Sequence, residues 1–163
     1  MYNQNRHKRI QYITQAAVIG AAYAVLTLLL APFSFGMLQV RLSEGLCALS
    51  LVTPAAVPGL TLGCFLANCL GPNGILDAVL GSLATLIGAL GARLLRRRRA
   101  VVALLPNILA NGVIIGLMLC RIYGVDVAPL AAIAWVAAGE AVSTLVPGLL
   151  ILKYTEKTDI LQK

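Results

Sequence analysis

Charge in this sequence comes in short clusters, and between the clusters lie apolar runs long enough to cross a lipid bilayer. About 20 apolar residues make a spanning helix. The runs Tyr12 to Phe35, Ile75 to Leu95, Val101 to Tyr123 and Val127 to Leu152 all qualify. A further apolar region, Gly45 to Leu70, is interrupted from Thr53 to Gly59 by two prolines, Pro54 and Pro58. The chain is 60% apolar and 12% charged, whereas a soluble domain is about half apolar and about a quarter charged. Too few polar residues remain to cover a water-exposed surface. The net charge of +7 could suggest nucleic acid, but the basic residues sit in clusters between apolar runs rather than forming a basic domain.

The interrupted region decides the topology. As one kinked span it gives five crossings and puts the Arg96–Arg99 run opposite the basic N-terminus. As two short helices it gives six. Then Arg6, Lys8, Arg9, Arg93, Arg96, Arg97, Arg98, Arg99, Lys153, Lys157 and Lys163 share a side, eleven of the thirteen basic residues. Basic residues accumulate on the cytoplasmic side, so six spans are expected, with both termini cytoplasmic. The chain reads as a single all-α membrane domain over residues 1–163. Its expected helices are 11–34, 42–53, 58–70, 75–95, 101–122 and 128–152. The second and third have roughly 12 and 13 residues, about 18–20 Å at about 1.5 Å per residue, which is short of a ~30 Å hydrocarbon core. Irregular backbone at membrane depth is tolerated where it lines a cavity, so a pocket is expected near the outer ends of these two helices. The N-terminal segment does not resemble a cleavable signal, because the apolar stretch after it is too long and no small-residue site closes it.

Ionisable groups inside spans are costly and need a partner or a purpose. Arg41 and Glu44 fall at the outer mouth of the second helix. Asn68 and Asp77 fall on the same side, Asn107 and Asn111 lie inside the fifth span, and Glu140 lies mid-way along the sixth below Trp135. Three carboxylates, several amides, one Arg and one Trp suit a small polar ligand bearing hydrogen-bond donors. One carboxylate can accept two parallel N–H groups, a second can pair with an ammonium, and Trp135 can stack on a ring. Each residue also has a structural reading. Arg41 and Glu44, at i and i+3, could pair with each other. Asp77 could serve the first turn of its helix, Asn68 could cap a helix end, and the two amides of the fifth span could join helices. Trp135 could be an interface or packing residue. Glu140 has no basic neighbour in sequence and is the hardest to explain structurally.

Ala16, Ala17, Gly20, Ala21 and Ala24 form a small-residue stripe on the first helix, of the kind that lets another helix approach closely. Cys47, Cys64, Cys69 and Cys120 lie in apolar segments without CxxC spacing and read as packing residues. No Walker, metal-binding or nucleophile-elbow motif is present, so no metal or cofactor is expected.

The ordered segments "LTLLLAPFSFG", "QVRLSEGL", "LVTPAAVPGLTLGCFLANCLG", "GILDAVLGSLATLIGALGARLLRR", "LPNILANGVIIG" and "AAGEAVSTLVPG" resemble the QueT family over about Thr14 to Leu152. These are substrate-binding S components of energy-coupling factor (ECF) transporters, assigned to queuosine precursors. The resemblance implies a six-helix plasma-membrane protein with cytoplasmic termini and an outward-facing pocket under the loop between the first two helices. It implies partnership with a transmembrane coupling protein and two ATPase subunits, which alone would hydrolyse ATP. The family's Ala-x-x-x-Ala contact with the coupling protein falls on Ala17 and Ala21. The implied ligand is a 7-deazaguanine such as queuine or its aminomethyl or cyano precursors, with Glu140 or Glu44 on the ring edge and Asp77 on a cation. The competing readings are an S component for another vitamin-like solute, a stand-alone ion-coupled transporter, and a membrane structural factor or enzyme without a recognised motif.

Overall fold

The computed structural model describes residues 2–35 and 40–158. Gln39 of the polar patch and Lys163 of the tail lie outside them. All regular structure among the described residues is helical.

The first helix, α1, runs Tyr2–Leu29. It starts at Tyr2 rather than at residue 11 because the polar leader contains no proline or glycine to stop it. Pro32, at the start of the short α2 (Ala31–Ser34), lacks the amide hydrogen needed to continue the ladder. The expected helix over 42–53 is mostly not α-helical. Leu42–Ala48 is a 3₁₀ helix, and only α3 (Leu49–Val52) is α-helical. The 3₁₀ form rises about 2.0 Å per residue rather than about 1.5 Å, which stretches a short segment further. Gly45 in its middle lies against Pro147, where a Cβ would come within 2.4 Å of the proline Cγ. Thr53, extended at φ −124° and ψ 135° as a residue before proline must be, ends α3. The remaining helices are α4 (Ala56–Leu70), α5 (Gly74–Leu94), α6 (Ala100–Arg121) and α7 (Pro129–Thr158). The last continues past residue 152 because its charged end carries no glycine or proline.

The helices pack in a closed ring. α1 lies on α4, α4 on α5, α5 on α6, α6 on α7, α7 on the 3₁₀ helix, and the 3₁₀ helix on α1. Cross-links define the two ends. At the basic end the Thr53 hydroxyl bonds Gln15 Oε1 at 3.0 Å, and Arg93 donates to the Ser50 and Leu51 carbonyls at 3.3 and 3.2 Å. At the opposite end Phe35 lies against Gly71, and Tyr123 donates to the Asn73 carbonyl at 3.1 Å. Four helices are long and apolar enough to cross a membrane, namely 5–29 of α1 together with α5, α6 and α7. The 42–52 segment and α4 are shorter. The surface is apolar, with Leu62, Leu94, Leu130 and Leu150 well exposed, while Arg41, Glu44, Asn68, Asp77 and Glu140 are buried. A lipid solvent selects this inversion, since buried polar groups must be satisfied inside the protein.

The small-residue stripe divides between two faces. Ala16 and Gly20 turn toward α4. A Cβ on Gly59 would stand 2.6 Å from the Ala16 carbonyl oxygen, and one on Gly63 would stand 2.5 Å from that of Gly20. Ala17 and Ala21 are exposed, and Ala24 is half-buried. A Gly59→Leu protein is expected to lose roughly 1–3 kcal/mol of stability, because backbone on the facing helix leaves no room. Ala17→Leu should leave stability unchanged. Thermal unfolding in detergent compares the two.

Candidate functional site

The 3₁₀ helix touches α1, α4, α5, α6 and α7, so a side chain on its inner face meets all of them. That side chain is Glu44, which is fully buried. Its Oε1 accepts hydrogen bonds from the Tyr23 hydroxyl and, at 3.4 Å, from the Thr85 hydroxyl. Its Oε2 accepts from Asn107 Nδ2 at 3.0 Å, and the same amide reaches Thr144 Oγ1 at 3.1 Å. Asn107 lies close against α5 because Gly88 is there. A Cβ at that position would come within 2.1 Å of Asn107 Oδ1. Glu44 is therefore not at the mouth, where the sequence alone places it, but at the hub of the bundle.

Arg41 and Asp77 form a second unit nearer the end where Phe35 meets Gly71. Arg41 Nη2 stands 3.4 Å from Asp77 Oδ2, both residues being buried. Arg41 Nε donates to the Ser34 carbonyl at 3.3 Å, and its guanidinium lies over the Phe35 ring at 5.7 Å from the centroid. The cation thus ties the end of α2 to α5, and it pairs with Asp77 rather than with Glu44. Asn68 Nδ2 donates to the Asp77 backbone carbonyl at 3.2 Å. The end of α4 is capped by the Asn68 backbone carbonyl, which accepts the Gly71 amide at 3.2 Å. That leaves the Asn68 side chain turned inward. Gly81 gives it room, since a Cβ there would be 2.6 Å from Asn68 Nδ2.

Asn111 Nδ2 donates to the Asn107 carbonyl at 3.1 Å, and Glu140 is buried on α7 one turn before Thr144. Trp135 does not join this cluster. It is 56% exposed and lines a separate apolar groove with Leu119, Val125 and Val127. Five residues separate it from Glu140, which turns the two side chains roughly 140° apart around α7.

Four buried oxygens of the cluster have no hydrogen-bond partner: Asn68 Oδ1, Asp77 Oδ1, Asn111 Oδ1 and Glu140 Oε2. All four are acceptors. An unsatisfied buried polar group costs about 1–3 kcal/mol, and three carboxyl groups here face one guanidinium. Chemically, the arrangement can accept N–H groups and offset positive charge. No group of three or more His, Cys, Asp or Glu side chains among the described residues is placed to hold a metal ion.

A family model described as QueT transporter matches residues 13–157. The chain belongs to the QueT transporter family. It is a membrane transport protein, not an enzyme, and the match takes in every residue of the buried cluster. No curated protein and no solved structure matches the chain.

Several members of the buried cluster escape a reading of the sequence. Tyr23, Thr85 and Thr144 are fully buried against Glu44 or its partner Asn107. Tyr23 carries a signal in retrospect, because it falls three residues after Gly20 and four before the buried Thr27, on the inward face of α1. The threonines carry none, because a lone hydroxyl in an apolar helix commonly bonds its own backbone.

Proposed function

We propose that this protein is the substrate-binding S component of an ECF-type importer and captures a 7-deazaguanine queuosine precursor from outside the cell. In this reading it crosses the plasma membrane six times with both termini cytoplasmic. The basic end faces the cytoplasm, and the Arg41–Asp77 end faces out. The observation that carries the reading is the set of four unpartnered buried acceptors beside a single cation. A 7-deazaguanine presents a ring N–H and an exocyclic amino group side by side, and a carboxylate can accept both. Glu140, whose Oε2 is unpartnered, takes that role in preference to Glu44, whose two oxygens already have partners. Asp77, with Oδ1 open, receives an aminomethyl cation. Asn68 and Asn111 complete the ring of acceptors, while Trp135 stands apart as a membrane-facing residue. The exposed pair Ala17 and Ala21 remains available to the coupling protein, which would act with two ATPase subunits.

Purified protein is expected to gain thermal stability with queuine and with the aminomethyl precursor, and less with the uncharged cyano precursor. If no deazaguanine shifts its melting temperature, the substrate assignment is wrong. Uptake should also require the coupling protein and ATPases; uptake by this chain alone would make it an ion-coupled transporter.

A further inference from the structure

At the basic end a groove of about 600 Å³ opens between the end of α3, the turn before α6 and the last turns of α7. Arg96 and Arg98 line one wall, and Leu51, Val52 and Leu152 form the floor. We propose that this groove holds the phosphodiester headgroup of an anionic membrane phospholipid.

The ion pair found among the described residues is Arg41–Asp77, so Arg96 and Arg98 have no carboxylate partner there. Glu156 also lines the groove, which leaves its lining one charge positive. Arg97, Arg99, Lys153 and Lys157 flank it in sequence and raise the local potential. Guanidinium forks match phosphate oxygens in two-point geometry, and basic pockets between membrane helices suit anionic lipid headgroups. The amides of the first turn of α6, which begins at Ala100 in the groove wall, add the positive end of a helix dipole.

The apolar part selects a lipid over a soluble anion. A site for free phosphate would be polar all round, whereas this one has half-buried Leu51, Val52 and Leu152 beside its arginines. Val101, next to the groove on α6, and Leu149, one turn back on α7, are exposed and extend the apolar track along the bundle. Headgroup and acyl chains would therefore meet surfaces of matching character. Glu156 can accept hydrogen bonds from headgroup hydroxyls, which favours a glycerol-type headgroup over a bare phosphate. Arg93 is already committed to the Ser50 and Leu51 carbonyls. It holds the end of α3 in place as the groove floor, and the site is formed without a ligand.

The test uses the full chain in nanodiscs of neutral phosphatidylcholine containing a minor share of phosphatidylglycerol. Native mass spectrometry counts the lipids that stay bound on release. Wild type should retain phosphatidylglycerol selectively, and Arg96→Gln with Arg98→Gln should cut that retention roughly tenfold or more. Arg97→Gln with Arg99→Gln, outside the groove lining, should keep most of it. Equal loss in both double variants would mean diffuse charge attraction and would overturn the site. So would a thermal shift with inorganic phosphate as large as that with the lipid. Unchanged retention in the Arg96/Arg98 variant, with assembly onto the coupling protein lost, would make the groove a protein contact instead. Melting in pure phosphatidylcholine, expected to be equal for all variants, controls for folding. None of these readings depends on which solute the protein carries.

Discussion

Replacing Glu44 with alanine is expected to destabilise the protein by about 2–4 kcal/mol even with no ligand present. The Tyr23 hydroxyl, the Thr85 hydroxyl and the Asn107 amide all donate to this carboxylate. Losing it leaves buried donors facing a cavity, at about 1–3 kcal/mol for each that finds no new partner. Glutamine in its place should fall between. Its carbonyl oxygen can serve Tyr23 and Thr85, but its amino group then faces the Asn107 amide, donor against donor. Because the 3₁₀ helix contacts all the long helices, the damage should reach the whole bundle as a lower melting temperature rather than a local change. If Glu44→Ala melts like wild type, the carboxylate is not the hub that the geometry describes.

Glu140→Gln is expected to do the opposite. Glu140 Oε2 has no partner, so neutralising it removes a buried charge and should leave stability equal or slightly higher. Binding of an aminomethyl deazaguanine should weaken roughly 30- to 100-fold, the worth of one charge-assisted bidentate contact. Isothermal titration on the purified protein measures the affinity, and a melting curve without ligand measures the stability. A loss of stability with unchanged affinity would make Glu140 a structural residue and return the ring edge to Glu44. The two carboxylates, alike in composition and depth, are thus separated by their neighbours alone.

Some of this was legible in the chain and some was not. Apolar runs bounded by charge clusters identify the membrane helices, because a span needs only length and hydropathy, and both are local properties. Pro54 marks the turn between the two short helices for the same local reason, whereas Pro58, expected to open the second of them, falls within the first turn of α4, which starts at Ala56. Arg41, Glu44, Asn68, Asp77, Asn111 and Glu140 stand out because a polar residue in an apolar run is conspicuous. All six are buried inside the bundle. Trp135 stood out equally and lies on the surface, since rarity alone says nothing of which way a side chain points.

Pairing could not be read in advance. Arg41 and Glu44 are three residues apart, the spacing of an ion pair on an α-helix. However, Arg41 lies just before the 3₁₀ helix in extended backbone, and it turns to Asp77, 36 residues further along. Tyr23, Thr85 and Thr144 become part of the site only through contacts between helices.

What the sequence by itself determined is the apolar, helical character of the chain, the four helices long enough to cross a membrane and the short list of costly polar residues, because each follows from composition within one segment. What only the tertiary structure decided is which carboxylate is satisfied and which is open. Glu44 is surrounded by donors from α1, α5 and α6, while Glu140 keeps an oxygen without a partner. That difference depends on the distances between atoms on separate helices, to within a few tenths of an ångström.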